Sequence, residues 1–155
     1  MIVVIVQCRI NSTRLPKKAL LNLMDAPVIA WTLRAMKKVK ADFYYLATDT
    51  NSYEYLEPIA KKFDWSIYAG SEENVLQRFC DVIKITNADT VLRATGDNPF
   101  LFYEAAIDSL EAFKKFNCDY FTYTGLPHGC GIEVYKSTAL LQANKESQDS
   151  FEREH

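Results

Sequence analysis

The sequence has no long apolar run and no strong excess of one charge. None of its apolar segments approaches the roughly 20 residues that a membrane span requires. The N-terminal apolar run has no basic region before it and no small-residue cleavage site after it, which argues against a signal peptide. The net charge of −2 argues against a general nucleic-acid binder, because such proteins usually carry a large basic excess. We therefore expect a cytoplasmic protein with neither a membrane nor a nucleic acid as its partner.

Common metal and phosphate motifs are also missing. The four cysteines, at positions 8, 80, 118 and 130, show neither C-x-x-C pairing nor His-rich metal spacing. We expect each to be a buried or half-buried thiol in a reducing compartment. The absence of G-x-x-x-x-G-K-[ST] argues against a Walker loop, and the absence of G-x-G-x-x-G leaves a dinucleotide site unsupported.

What the chain does contain is a regular alternation of strand-like and helix-like segments within 155 residues, enough for one domain with a buried core. We predict strands over residues 2–7, 43–48, 65–68, 90–94, 119–123 and 132–135, and helices over residues 27–39 and 51–63. Two more helices are expected, one capped by Ser71 and one after Pro99. The alternation favours a mainly parallel sheet with helices on both faces, an α/β fold.

The first strand runs directly into a cationic loop. The apolar run Val3–Val6 is followed by four basic residues, Arg9, Arg14, Lys17 and Lys18. Guanidinium groups match phosphate oxygens in pairs, and lysine supplies a mobile point charge, so Arg9, Arg14 and Lys18 form a candidate anion clamp. The alternative is an ordinary solvated loop.

Two carboxylates follow other strands of the predicted sheet. In parallel sheets ligands bind beyond the carboxyl ends of the strands, so Arg9, Asp49 and Asp97 should share one rim. Asp97, on a loop with Gly96, suits Mg²⁺, which takes one or two protein carboxylates plus substrate phosphates. The alternatives are a cap on the turn before Pro99 for Asp97 and a cap on the next helix for Asp49.

Three further polar residues have ordinary interpretations. Arg78 lies on the predicted helix away from Val75 and Val82, where a solvated surface arginine is the default. His128 lies among glycines and is expected to be exposed rather than catalytic. Glu133 begins a strand, where it either orients a substrate hydroxyl or faces water.

Together these segments resemble the cytidylyltransferases of polysaccharide biosynthesis, specifically the spore-coat type related to the synthetases that activate 3-deoxy-manno-octulosonate and sialic acids. The matching motifs are Gln7–Lys18, Ala47–Asp49, Gly70–Arg78 and Arg93–Pro99. The resemblance implies a three-layer α/β/α nucleotide-diphospho-sugar transferase-like fold. It also implies transfer of CMP from CTP to a sugar or sugar acid, with release of pyrophosphate, for surface glycan synthesis.

The resemblance also implies roles for individual residues. Arg9, Arg14 and Lys18 would contact the triphosphate, and Asp97 would hold Mg²⁺, which makes Arg9, Lys18 and Asp97 the implied catalytic residues. The remaining implied nucleotide-binding positions are Gln7, Cys8, Ser12, Asp49, Arg78, Thr95 and Gly96. Gly129 and Glu133 would lie on the sugar side. Related sugar-acid enzymes often dimerise, so a homodimer is also implied.

The sequence departs from the family pattern in three places. Relatives usually carry a small residue after the proline, where this chain has Lys17, which adds charge to the loop. Relatives commonly carry an acidic residue where this chain has Gly131, which bears on sugar recognition. The chain also stops at Phe151–His155, within what resembles a family motif, so we expect a single nucleotidyltransferase-like domain over residues 1–155 that is shortened at its C-terminus. The alternative function is therefore a non-catalytic nucleotide-binding or assembly module. A glycosyltransferase is a weaker alternative, because that class usually has a D-x-D motif and none occurs here.

Overall fold

The computed structural model describes residues 1–11 and 15–154. In chain order, its helices and strands are β1 (Ile2–Gln7), β2 (Asn22–Leu23), β3 (Ala26–Pro27), α1 (Val28–Met36), β4 (Phe43–Asp49), α2 (Tyr53–Lys62), β5 (Ser66–Gly70), α3 (Val75–Thr86), β6 (Thr90–Thr95), α4 (Tyr103–Phe116), β7 (Tyr120–Thr122), β8 (Glu133–Lys136), α5 (Ser137–Glu146) and α6 (Ser150–Glu154). A short 3₁₀ helix, Lys18–Leu20, precedes β2.

The central sheet has six strands in the order β5-β4-β1-β6-β8-β7. Strands β5, β4, β1 and β6 pair in parallel, whereas β8 is antiparallel to both β6 and β7. The mainly parallel sheet predicted from the alternation is therefore confirmed. After β1 the chain builds β4 and β5 on one side and then crosses to build β6 on the other. The crevice beyond the carboxyl ends of β1 and β6 is thus the topological switch point, where ligands bind in such sheets.

Helices cover both faces of this sheet. Val4 and Val6 of β1 face one side, where α1, α2 and α4 contribute Leu33, Leu56 and Leu110. The alternate residues, Val3 and Ile5, pack on the other side against residues of α3 and α5 such as Phe79 and Leu140. Residues 3–6 are all fully buried, which explains why β1 reads as a continuous apolar run rather than an alternating one. The three-layer α/β/α architecture is confirmed.

The start of α3 differs from the prediction. The helix begins at Val75, and its N-cap is Asn74, whose side-chain oxygen accepts the backbone N–H of Gln77 over 2.8 Å. Ser71 instead accepts the N–H of Asn74 over 3.2 Å and so shapes the turn ahead of the helix. The prediction of Ser71 as N-cap was wrong because serine and asparagine both satisfy free N–H groups, and the nearer one caps the helix.

Several small elements were not predicted. The two-residue strands β2 and β3 are too short to carry a periodic pattern, and α5 and α6 were not assigned from the sequence. The prediction of buried or half-buried thiols is confirmed, since Cys8 and Cys80 are buried, Cys118 and Cys130 are half-buried, and all four are free. The reducing compartment stays a prediction. Within the described ranges, no helix is both long enough and apolar enough to cross a membrane.

Candidate functional site

The site is built around an ion pair between Lys18 and Asp97. Lys18 begins the 3₁₀ helix behind the cationic loop, and Asp97 lies two residues beyond β6. Lys18 Nζ donates to Asp97 Oδ2 over 2.6 Å, with the two side chains 39% and 46% exposed. Exposed pairs of this kind contribute little to stability, typically ~0–1 kcal/mol. The importance of the pair is therefore positional: it places a cation and a carboxylate together at the switch point.

Gly96 allows the Asp97 loop to close against β1. Its N–H donates to Gln7 O over 2.8 Å. A Cβ at this position would lie 2.5 Å from Ile29 Cδ1 and 2.8 Å from Cys8 Cβ, so a side chain would force the loop outward. The Cys8 N–H is also used, donating to Ala47 O over 3.0 Å. The backbone groups of Gln7 and Cys8 thus extend the sheet by bonding Gly96 and Ala47. Their predicted contact with a nucleotide base stays a prediction.

Asp49 is fully buried and supports the cationic loop indirectly. Its Oδ1 accepts the Ser52 N–H over 3.0 Å, and its Oδ2 accepts the Ser52 hydroxyl over 2.6 Å. The same hydroxyl accepts the N–H of Ile10 over 3.0 Å. The Asp49 carboxylate therefore holds the turn before α2 and does not cap the helix, whose N-cap is Ser52, so the capping interpretation was wrong. Through Ser52 the carboxylate reaches the loop after β1. Direct contact between Asp49 and a nucleotide stays a prediction.

Arg78 is not a surface residue, and the default interpretation from the sequence was wrong. It is 2% exposed, and Nη1 donates to Ser71 O over 2.9 Å. A Cβ at Gly70 would lie 3.0 Å from Arg78 Cγ, so the glycine that ends β5 makes room for the arginine. The helical face assigned to solvent actually packs against a strand end that has no side chain. Its implied role in nucleotide binding stays a prediction.

Electrostatics make Arg78 a candidate for anion binding. Burial lowers the pKa of its guanidinium, the Asp49 carboxylate opposes that shift, and Arg9 lowers the pKa further. Nε is buried and has no hydrogen-bond partner among the residues that the structure describes. An anion that binds near Arg9 and Arg78, in addition to the Asp49 carboxylate, would therefore be stabilised. Phosphate suits the planar donors of guanidinium.

A second cluster lies on the other side of the switch point. Arg93 of β6 donates from Nε to Gln7 Oε1 over 3.2 Å and from Nη1 to Glu133 Oε2 over 3.0 Å. The Tyr135 hydroxyl donates to the same Glu133 oxygen over 3.1 Å. The cluster borders a cavity of about 200 Å³ whose lining includes Arg93, Thr95, Thr122, Gly129, Gly131 and Glu133.

Sequence reasoning gave Arg93 no role, although it lies in one of the matching motifs. The available signal was a charged residue inside an apolar strand, between Leu92 and Ala94. A charge at such a place needs a partner, and β8 supplies Glu133 directly opposite in the register. Glu133 was predicted as a sugar-side residue or a solvent-facing one. The structure places it half-buried beside the cavity.

The remaining predicted residues occupy the same rim where the structure describes them. Arg9 is exposed, and Thr95 accepts a hydrogen bond from the Asn98 side-chain amide. Gly129, at a φ of 85°, packs so closely on Asn98 that a Cβ would lie 2.6 Å from Oδ1. His128 is exposed, as predicted. Ser12 and Arg14, which were predicted to contact the nucleotide, lie outside the described residues.

A larger cavity of about 660 Å³ opens at the other end of β6, around Thr90, away from Asp97.

Asp97 is the candidate ligand for a magnesium ion at this rim. Within the described ranges, no group of three or more histidine, cysteine, aspartate or glutamate side chains could hold a metal. Asp97 offers one carboxylate at the rim. This fits Mg²⁺, which keeps several waters and is typically bound by one or two carboxylates together with substrate phosphates. A metal held at Asp97 would therefore depend on phosphate oxygens for the rest of its ligands.

Comparison with known proteins identifies the family. A family model described as Cytidylyltransferase matches residues 3–155. The chain belongs to the cytidylyltransferase family. A solved cytidylyltransferase from Leptospira borgpetersenii superposes with a TM-score of 0.93 at 27% identity, covering 99% of this chain and 68% of that one.

Two curated relatives of this cytidylyltransferase family member are similar over most of its sequence. The spore coat polysaccharide biosynthesis protein SpsF of Bacillus subtilis is 32% identical over 150 residues, covering 93% of this chain and 62% of the relative. An uncharacterized protein of Methanocaldococcus jannaschii is 31% identical over 156 residues, covering 99% of this chain and 64% of the relative. The chain thus spans less than two thirds of the length of either relative.

Proposed function

We propose that this chain carries a Mg²⁺-dependent cytidylyltransferase site that transfers CMP from CTP to a sugar or sugar acid and releases pyrophosphate. The product would be an activated sugar for surface polysaccharide synthesis. Family membership supports the reaction class. The name of the SpsF relative supports the polysaccharide setting. The expected cytoplasmic location and homodimer belong to the same proposal.

The observation that carries the proposal is the contact of Lys18 Nζ with Asp97 Oδ2 at 2.6 Å. These residues lie 79 positions apart and come from two separate segments, the cationic loop and the end of β6. Phosphoryl and nucleotidyl transfer depend mainly on positioning and on neutralising charge at the departing group. At the switch point, Lys18 supplies a positive charge for phosphate oxygens, and Asp97 supplies a carboxylate for a metal.

Each residue of the rim has a task in this scheme. Lys18 and Arg9 neutralise the triphosphate and stabilise the charge that develops on pyrophosphate as it leaves. Arg78 and the buried Asp49 lie toward β4 and β5, where they would border the nucleotide. Asp97 would hold Mg²⁺, which when bound screens the phosphate charges and orients them. No covalent intermediate with the protein is needed, because the acceptor itself attacks the α-phosphorus.

The test is pyrophosphate release from CTP in the presence of Mg²⁺ and a panel of sugars and sugar acids. We expect release with at least one acceptor. Asp97→Ala should abolish turnover and leave the circular dichroism spectrum and thermal midpoint nearly unchanged, because Asp97 is exposed. Asp108→Ala, which removes an exposed aspartate from α4, is the matched control and should keep full activity.

Other outcomes separate the alternatives. CTP binding measured by calorimetry, without turnover across a broad panel, would identify a nucleotide-binding module instead of an enzyme. Unchanged turnover in Asp97→Ala would remove the proposed metal role of that carboxylate. Light scattering at several concentrations tests the homodimer, and a constant monomer mass would argue against it.

A further inference from the structure

The cavity beside Arg93 and Glu133 lies on the acceptor side of the proposed reaction. The triphosphate site occupies the switch point, and Arg78 and Asp49 border it on the β4 and β5 side. The cavity opens on the opposite side, between β6 and β8. Thr95, two residues before Asp97, lies in its wall. Gly129, from another part of the wall, packs on Asn98, the neighbour of Asp97. A group in this cavity is therefore adjacent to the proposed phosphate site.

The charges in the cavity cancel. Among the described residues that line it, Arg93 and Glu133 are the charged ones, and they bind each other over 3.0 Å. Their side chains are 17% and 33% exposed, so solvent screens the pair only in part. Tyr135 donates a second hydrogen bond to Glu133 Oε2. Burial, and next the Glu133 carboxylate, raise the pKa of the Tyr135 hydroxyl, so it stays a neutral donor.

The other lining groups are uncharged and leave room for a ligand. The Thr122 hydroxyl donates to Ile132 O over 2.9 Å, and Thr95 presents a second hydroxyl. A Cβ built on Gly131 meets nothing within 4 Å, so this position borders open space and adds no charge. A cavity of about 200 Å³ is smaller than the ~300–1,000 Å³ typical of sites for drug-sized ligands. Its size suits part of a monosaccharide.

From this pairing we infer that the acceptor is uncharged where it enters the cavity: a hydroxyl-rich neutral sugar or polyol, not a sugar acid that places its carboxylate there. Sugar hydroxyls donate to Glu133 and accept from Arg93 without breaking the pair. A carboxylate bound to Arg93 would lie beside the Glu133 carboxylate or displace it, and either arrangement places two like charges close together. Glu133 is thus the residue that determines specificity. The inference rests on the proposed function for the assignment of the cavity to the acceptor.

The experiment compares matched ligands that differ only at C6, which carries a hydroxymethyl group in the neutral sugar and a carboxylate in the acid. Glucose and glucuronate form one pair, and galactose and galacturonate form another. Binding to the unaltered chain is measured by NMR titration, with and without CTP and Mg²⁺. We expect the neutral member of at least one pair to bind about tenfold tighter or more, the range expected for one charge-assisted contact. This comparison does not require any variant to fold.

A charge-neutralising variant then tests the mechanism. Glu133→Gln keeps the size of the side chain but removes the carboxylate that pairs with Arg93, so the ratio of neutral to acid affinity should fall about tenfold. Glu111→Gln, which changes an exposed glutamate on α4, is the matched control and should leave the ratio unchanged. Tighter binding of the acids to the unaltered chain, a ratio that Glu133→Gln does not move, or no binding of any sugar would each overturn the inference.

Failure of the inference and failure of the proposed function give different results. If CTP binds and the acids are preferred, the neutral acceptor is excluded while the nucleotide site stands. If CTP does not bind but the neutral sugars do, the proposed reaction fails and the cavity keeps its ligand preference.

Discussion

Ser52 Oγ lies 2.6 Å from Asp49 Oδ2, and both residues are fully buried. The serine hydroxyl donates to the carboxylate and accepts the N–H of Ile10, which lies in the loop after β1. A buried carboxylate at the end of β4 is thereby connected to the segment that carries Arg9. Asp49 acts on that segment through Ser52, which is a positioning role.

Ser52→Ala tests this connection. The substitution leaves the Ile10 N–H and one oxygen of a buried carboxylate without their partner, so we expect a loss of ~1–3 kcal/mol in the free energy of unfolding. CTP affinity should also fall, because the cationic loop loses its fixed start. Urea denaturation and calorimetry measure the two effects. Ser66→Ala, at an exposed position that begins β5, is the matched control. Equal effects of the two substitutions would contradict the positioning role.

Thr32→Val tests how α1 holds the Asp97 loop. Thr32 is fully buried, and its hydroxyl donates to Asn98 O over 3.0 Å. Valine keeps the shape and removes the donor, so we expect a stability loss of ~1–2 kcal/mol. A weaker response of CTP binding to added Mg²⁺ should accompany it. Thr138→Val, at an exposed position in α5, should change neither quantity. A response to Mg²⁺ that equals that of the unaltered chain would show that the bond does not position Asp97.

Gly96→Ala and Gly131→Ala should have opposite effects on the stability of the folded chain. At Gly96 the added Cβ would meet Ile29 Cδ1 at 2.5 Å and Cys8 Cβ at 2.8 Å, so we expect a loss of ~1–3 kcal/mol from overpacking. At Gly131 the Cβ would meet nothing within 4 Å, and stability should be unchanged or rise by up to ~1 kcal/mol through the unfolded chain. Thermal or urea denaturation measures both. A Gly96→Ala variant as stable as Gly131→Ala would refute the close approach.

We expect the Cys8 thiol to make the folded chain less stable as the pH rises into the alkaline range. Burial, and next the Asp97 and Asp49 carboxylates, raise the pKa of its thiol from 9.0 to about 12. Between these values the folded chain keeps the proton and the unfolded chain releases it, so the folded state binds more protons and stability falls as pH rises. The contribution is fully present below pH 9.0 and is lost by about pH 12.

Cys8→Ala provides the comparison. The variant should lose stability less steeply with pH than the unaltered chain in urea denaturation series across this window. The slope is compared rather than the absolute value, because removing a buried sulfur lowers stability at every pH. Parallel slopes would show that the thiol does not titrate differently in the folded chain.

Much of the architecture followed from local pattern. The continuous apolar run at residues 3–6 predicted a strand covered on both faces, and the helices after Ser71 and Pro99 showed clear periodicity. Because connections between parallel strands place all carboxyl ends at one rim, the convergence of Arg9, Asp49 and Asp97 could also be predicted. Errors came where two residues could perform the same local task, as with Ser71 and Asn74 at the start of α3.

Other contacts depended on the packing of distant segments. Arg78 was assigned to solvent because a helical projection shows only its own helix. Its burial results from Gly70 at the end of another element. The ion pair of Arg93 with Glu133 forms only because β8 lies beside β6 and places Glu133 opposite Arg93.

The α/β class, the cationic loop and the family follow from residue order and short-range periodicity. The pairing of Lys18 with Asp97, the burial of Arg78 and the neutral charge of the cavity arise only when the chain folds. Each of these joins side chains from separate segments, and electrostatic interactions depend on distance and burial, which residue order does not specify.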